Sequence, residues 1–595
     1  MTQHAAQRHR RTGALVGVVA VVFGLLSAPA TGEEHRVLAA SDASLIGQKL
    51  MVAMSGTTPS SGLLSRIGRG QIGGVILFGS NVTTPAALAG LSAKLQAAAA
   101  AGGQPPLLIS TDQEGGAVKR VPWAPPAIAP PDMGAHGGAS IARSQGRATG
   151  RALACAGVNS DLAPVADVPT SASSFMVQQG RTWSFSAAAT ASLSDAFTTG
   201  LEEGGTVPAM KHFPGIGYAT QDTDTHVVTI SATRTQLAPG LVPYSTAIGH
   251  GVPMIMLSNA TYAAYDSASA AGWSKAISVD LLRTTLGFTG VSITDSLSGT
   301  AAARGVSATS LAIKAAQAGT DMILLTGSEA SSASTYAGLV AAAAAGTIPL
   351  ATLEASSARI LALKAALPAT PLDTAGPVAH GPASTLSAPG TLGTTTVPVR
   401  TAWSATDSCG IAIYALRRQQ DGGRWATLAL ATLGTSSIVQ SLTAGSVYRY
   451  AARATDNAGH TGTWSAGRRV EPLVRQQNGG VVAFSTGWRT ASSARYSGGS
   501  AAYAAVPGAS ASYRFTGTSV AWVTGIGPTR GSAQVWVDGV KRATVSTHAT
   551  TTSLRRLAFA TSWPTQGTHT IRIVVVGTPG HPRVDVDAFV RLFAP

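Results

Sequence analysis

Cysteine is nearly absent from this 595-residue chain, which has only Cys155 and Cys409. Two cysteines do not make a disulfide framework, and both are expected to be buried and free, in different domains. Charge is also sparse, at 12% of residues, and acid is the scarcer sign: 27 Asp and Glu against 42 Lys and Arg, a formal net charge of +15. The basic residues are scattered without interleaved aromatics, which excludes a nucleic-acid-binding tract. Such a positive field instead suits adsorption to an anionic envelope or polysaccharide. Glycine is plentiful, yet no phosphate loop or dinucleotide fingerprint is present, so no cofactor is expected.

Long apolar runs are missing except at residues 13–26, which are too few for a confident membrane span. Arg8, Arg10 and Arg11 precede that run and Ala28-Pro29-Ala30 follows it, the layout of a secretory signal peptide over residues 1–30. No cysteine follows the run, which argues against a bacterial lipid anchor. The expectation is a secreted, extracellular or cell-wall-associated protein, with no stable membrane insertion after signal cleavage.

The length implies about three domains. Over residues 41–367, apolar strand-like runs at 72–78, 106–111, 161–168, 207–212, 253–258, 291–294 and 321–326 alternate with Ala-rich helical patterns such as 85–100, 311–318 and 353–367. This alternation predicts a parallel sheet with helical crossovers, and seven strands suggest a (β/α)8 TIM-type barrel whose eighth strand is not visible. Residues 368–395 are rich in Pro, Gly, Thr and Ser and read as a flexible linker. Short strands and turn signals then predict two all-β sandwich domains, at 396–474 and 479–595. Trp488, Trp522, Trp536 and Trp563 offer stacking faces for sugars, but Trp522 and Trp536 lie in alternating strands, where core packing is the expected use.

Polar groups recur where the predicted barrel strands end: Asp112, Asp167, Lys211 with His212, Asn259, and Asp295. One polar residue at a strand end is usually a cap; five in succession point to the catalytic face of a barrel. The densest cluster is Lys211-His212-Phe213-Pro214-Gly215-Ile216-Gly217, followed by Asp222-Thr223-Asp224-Thr225-His226. Asp295, at the rim of an apolar strand, is placed to attack an anomeric carbon and form a covalent glycosyl ester. Asp224 and His226, at i and i+2, form a candidate dyad in which the carboxylate orients the imidazole as general acid. Asp222, Asp224 and His226 also have ligand chemistry, but no second cluster completes a site, so no metal is expected.

Residues 41–367 resemble glycoside hydrolase family 3, in its single-barrel β-N-acetylhexosaminidase branch. The matching pieces are Gly73-Gly74-Val75-Ile76-Leu77-Phe78, Asp112-Gln113-Glu114-Gly115-Gly116, Leu162-Ala163-Pro164-Val165-Ala166-Asp167-Val168, Lys211-His212-Phe213-Pro214-Gly215 and Ile293-Thr294-Asp295-Ser296-Leu297. The resemblance implies Asp295 as nucleophile, His226 as acid/base with Asp224 as its orienter, and Asp112, Arg181, Lys211 and His212 as binders of sugar hydroxyls. The chain departs from the family pattern at Ile216, where many members have His, and at Ala117, where many have Arg. The Asp-Ser-His element appears as Asp224-Thr225-His226, about two residues late, which leaves open whether Asp222 or Asp224 supports the imidazole. The segment 396–474 resembles a fibronectin III or immunoglobulin-like module, and 479–595 a carbohydrate-binding-like jelly roll. These resemblances imply a secreted retaining exo-β-N-acetylglucosaminidase acting on oligosaccharide or polysaccharide of cell-wall or chitin type. The alternatives are a β-glucosidase-type or phosphorolytic member of the family, or an inactive glycan-binding protein of the wall.

Overall fold

The computed structural model describes residues 42–595; the expected signal segment, 1–30, lies outside the described residues. No helix among the described residues is long and apolar enough to cross a membrane. Eight parallel strands form the first architecture: β1 (Leu50–Ala53), β2 (Gly74–Leu77), β3 (Leu108–Thr111), β4 (Ser160–Asp161), β5 (Val207–Phe213), β6 (Met254–Leu257), β7 (Val291–Thr294) and β8 (Ile323–Leu325). β8 pairs with β1, and the ring joins between β7 and β8 at an Ile293–Met322 bridge flanked by Thr294 N–H to Met322 O at 3.0 Å and Met322 N–H to Ser292 O at 2.8 Å. The strand that the sequence hid is therefore β1, and the expected run 161–168 contributes only Asp161 to the continuous ladder, in the two-residue strand Ser160–Asp161.

Local chemistry sets the crossovers. The helix Pro85–Ala101 starts with Pro85 at its first turn and the Thr84 hydroxyl accepting the Ala87 N–H, which satisfies an otherwise orphaned donor. Helix Arg234–Gly249 opens with a reciprocal cap between Thr233 and Gln236. Helices Gly138–Cys155 and Ala187–Gly204 touch backbone to backbone through glycines: a Cβ on Gly146 would lie 2.3 Å from Phe197 O, and one on Gly200 would lie 2.3 Å from Arg143 O. The barrel interior is filled by alternate inward side chains, among them Met51, Ile76, Leu108, Leu162, Ala209, Met254, Met256, Ile293, Met322 and Leu324.

At the N-terminal ends of the strands, Asp321 accepts Arg359 at 2.7 Å and the Ser292 N–H at 2.9 Å and also pairs with Arg283. Beside them Lys49 is fully buried and donates to Thr320 O at 2.9 Å; burial, opposed by Asp321, pulls its pKa down to about 8. This end of a barrel serves stability rather than chemistry.

The rest of the chain is β-rich. A three-stranded sheet of Val378–Leu386, Thr396–Thr406 and Ser437–Thr443 faces a four-stranded one of Ala426–Leu428, Ile411–Gln420, Tyr448–Asp456 and Ser465–Ala466. A further region is built on the long pairing of Ser510–Ile526 with Ser553–Val575. Part of the expected flexible linker is thus strand: Val378–Leu386 pairs with Thr396–Thr406, and Gly390–Thr391 pairs with Leu557 and Arg556. The physical reason is apolar: Leu386 and Leu392 enter one core with Val397, Trp403, Val523, Leu557 and Val590, which spans both β regions. Trp522 is fully buried, as its alternating strand implied.

The expectation of two free cysteines is corrected. Both are buried, but Cys155, the last residue of a barrel helix, is bonded to Cys409 in a turn of the first β region, across 254 residues. Sequence spacing could not reveal this, because the pairing depends on the β region folding back against the barrel.

Candidate active site

The C-terminal ends of the strands surround a cavity of about 330 Å³, whose wall includes Asp112, Glu114, Arg181, Lys211, His212, Asp222, Asp224 and Asp295. Lys211, near the end of β5, is buried and reaches Asp112 Oδ1 and Glu114 Oε1, both at 2.7 Å. Arg181 holds Glu114 with two parallel bonds of 2.8 Å, the bidentate geometry that fixes a guanidinium. Burial would raise the Glu114 pKa, but Arg181 and Lys211 overturn it and hold the carboxyl far below its usual range. Burial likewise pulls Lys211 down, and Asp112 and Glu114 more than restore its charge. The result is a near-neutral net of two cations and two anions, rigid before any substrate arrives.

His212 projects beside this net, with Nδ1 2.8 Å from Asp167 Oδ2. Asp167 also accepts the Ile216 N–H at 2.8 Å, so one fully buried carboxylate orients the imidazole and ties down the loop after β5. Tyr262 Oη donates to Gly215 O at 3.0 Å and secures the same loop from the other side. Ile216 is buried and lines the cavity.

Asp295 follows β7 and is half-buried; its N–H donates to Leu257 O at 2.8 Å, and its Oδ1 accepts the Ser296 N–H at 2.8 Å. Asp224 faces the same space. Its Oδ1 accepts Asn259 Nδ2 at 2.9 Å, and Asn259 also donates to Ser296 O at 2.9 Å, so one amide links the two carboxylate-bearing loops. The loop can approach because residue 299 is glycine: a Cβ there would lie 2.7 Å from Asp224 O. Burial, then the charge of Asp295, pushes the Asp224 pKa up to about 8.

His226 is placed differently from the sequence expectation. It is exposed and not part of the cavity wall, and its Nδ1 lies 3.0 Å from Thr225 Oγ1 rather than against Asp224. The expected Asp224–His226 pair is therefore not brought together. Instead Asp222 Oδ1 accepts the Asp224 N–H at 3.0 Å, and Asp222 O accepts the His226 N–H at 2.9 Å, a tight turn that directs residue 224 inward and residue 226 outward. The two-residue offset of Asp224-Thr225-His226 was the available signal. Glu114, the common partner of Lys211 and Arg181, was also passed over, although it lies in the Asp112–Gly116 motif.

A parallel barrel that gathers carboxylates, lysine and arginine around a cavity at the C-terminal ends of its strands is the architecture of a glycoside hydrolase. The chain belongs to glycosyl hydrolase family 3: the N terminal domain of that family matches residues 45–363. Among relatives, an uncharacterized secreted glycosyl hydrolase of Arthroderma benhamiae is 33% identical over 330 residues, covering 54% of this chain and 93% of that protein. A beta-hexosaminidase of Nitrosomonas eutropha is 33% identical over 288 residues, covering 46% of this chain and 80% of the relative. Among solved structures, the beta-N-acetylhexosaminidase of Beutenbergia cavernae matches with a TM-score of 0.51 at 32% identity, covering 55% of this chain and 98% of that one. A family 3 beta-N-acetylglucosaminidase from Paenibacillus matches with a TM-score of 0.51 at 31% identity, covering 54% of this chain and 62% of that one.

Proposed function

We propose that this protein is a secreted retaining exo-β-N-acetylhexosaminidase in which Asp295 is the nucleophile and Asp224 the acid/base. The observation that carries the reading is the Asp224 carboxyl inside the cavity, pushed up to about 8 by burial and by Asp295. A carboxyl group that keeps its proton beside a second carboxyl group lets the pair divide the work of a retaining glycosidase. Asp295 attacks the anomeric carbon while Asp224 passes its proton to the departing oxygen, giving a glycosyl ester and a free alcohol. Asp224, now a carboxylate, then takes a proton from water, whose oxygen displaces Asp295 from the sugar. Asn259 holds one Asp224 oxygen, which leaves the other for the proton.

Asp112, Lys211, Arg181 and His212 supply charge-assisted hydrogen bonds to the ring hydroxyls, with Glu114 and Asp167 behind them as fixed partners. Ile76, Phe78, Met256 and Leu324 also line the cavity and give it an apolar surface suited to a pyranose face and an acetamido methyl. A cavity of this size favours one terminal sugar over a length of polymer. The names of the relatives support an N-acetylhexosaminide as substrate. Export is supported by the expected signal segment, by the disulfide, which belongs to oxidising compartments, and by the name of the Arthroderma benhamiae relative. The net charge of +15 favours residence on an anionic wall.

Hydrolysis of p-nitrophenyl N-acetyl-β-glucosaminide and of the β-glucoside tests the reading. The expected result is strong preference for the N-acetyl sugar, and preference for the glucoside overturns the substrate assignment. In the glycosyl-enzyme Asp295 is an uncharged ester and Asp224 a carboxylate whose charge repels phosphate, so reaction in phosphate buffer should release free sugar rather than sugar 1-phosphate.

A further inference from the structure

The first β region carries a second concentration of ligand-type side chains, none of which lines the catalytic cavity. Asp373 lies in the connector after the barrel, Asp407 in the turn before Cys409, Asp456 at the end of the strand Tyr448–Asp456, and His460 in the loop that follows it. One ligand atom from each of Asp373, Asp456 and His460 lies within 4.8 Å of the others, and Asp373 is equally close to Asp407. Among the described residues no lysine or arginine forms an ion pair with any of these three carboxylates; His460 Nδ1 lies 3.6 Å from Asp456 Oδ2.

The carboxylates of Asp373 and Asp456 divide their oxygens. Asp456 Oδ1 accepts the His460 N–H at 2.9 Å and Asp373 Oδ1 accepts the Ala375 N–H at 3.2 Å, each shaping its own loop. Asp456 is fully buried, and its Oδ2 has no hydrogen-bond partner; Asp373 Oδ2 and His460 Nδ1 are likewise shielded and unpartnered. Orphaned carboxylate oxygens gathered together are unfavourable unless a proton or a cation stands between them.

We propose that Asp373, Asp456 and His460, with Asp407 as a further donor, bind a divalent metal cation. Carboxylate oxygens suit a hard ion such as Ca²⁺ or Mn²⁺, and the imidazole also admits Zn²⁺. The site would act as a clasp at the join between barrel and β region. A Cβ on Gly459, in the same loop, would lie 2.4 Å from Ala86 Cα of the barrel helix Pro85–Ala101, while Cys409, two residues after Asp407, is bonded to Cys155. The connector is packed here as well, since a Cβ on Gly376 would lie 2.7 Å from the Thr461 carbonyl carbon.

Full-length protein freed of metal by chelator is titrated by calorimetry with Ca²⁺, Mn²⁺ and Zn²⁺ separately, and melted with and without each. The expected result is one cation bound per chain with a higher melting temperature. Asp373→Asn and His460→Ala, at partly exposed positions where folding should persist, should weaken binding by about tenfold or more and remove the thermal gain. Turnover of aryl glycosides by both folded variants should equal that of the parent. The proposal is overturned if none of the three ions binds, or if both variants bind as the parent does.

Discussion

Asp224 sits at the point where residue identity and environment separate most clearly. An unperturbed aspartate titrates near 3.8, but burial and the neighbouring Asp295 push this one up to about 8. The folded state therefore favours the neutral carboxyl. Its contribution to stability is complete below the unfolded value and is lost as pH rises through the window from about 4 to about 8. Turnover of substrates with poor leaving groups should accordingly fall above about pH 8, as the acid loses its proton. Asp224→Asn should remove that limb of the pH–rate profile and raise the melting temperature at pH 8; an unchanged profile would disconnect Asp224 from proton transfer. Asp112, Lys211, His212 and Asp295 were legible as site candidates because each ends an apolar run. That Asp224 rather than His226 lines the cavity was not, since i and i+2 spacing does not say which of two side chains faces inward.

At the scale of elements, the loop carrying Asp224 is seated by the helix Leu297–Ala303, whose Gly299 lies under the Asp224 carbonyl. Gly299→Ala should favour the helix by roughly 1 kcal/mol in propensity, yet its new methyl must displace that carbonyl. Misplacing an acid in this way is expected to cost on the order of 10- to 100-fold in turnover. Kinetics and melting of this one variant check both halves: activity should fall without a matching loss of stability. Full activity would mean that the loop position does not matter. The alternation of runs and helical patterns announced the barrel, but β1 was concealed because its four residues follow directly on the helix Asp42–Gln48 with no turn signal between them. β4 was overestimated for the opposite reason: its apolar continuation leaves the regular ladder after Asp161 and keeps only irregular backbone bonds, such as Ala209 N–H to Ala163 O, and a bridge from Val165 to Lys211.

For the whole molecule, the notable feature is that catalytic barrel and β regions are fastened together while the cavity draws only on barrel residues. The Cys155–Cys409 bond closes 254 residues, a constraint on the unfolded chain worth about 2–5 kcal/mol. Reduction, or Cys155→Ser, should lower the melting temperature by several degrees and split the transition into barrel and β components, with little change in turnover of small aryl glycosides at 25 °C. Calorimetry with and without reductant checks this, and an unchanged single transition would show that packing alone unites them. Neither this bond nor the core joining the two β regions could be read from composition, because both arise from contacts between segments hundreds of residues apart.

The most direct measurement is the leaving-group dependence of kcat/KM for parent, Asp224→Asn and His226→Ala across a series of aryl N-acetyl-β-glucosaminides. With Asp224 as the acid, Asp224→Asn should lose about 10²- to 10⁴-fold on poor leaving groups and far less on activated phenolates, while His226→Ala should follow the parent. A steep dependence in His226→Ala, with Asp224→Asn behaving like the parent, would contradict the assignment of the acid.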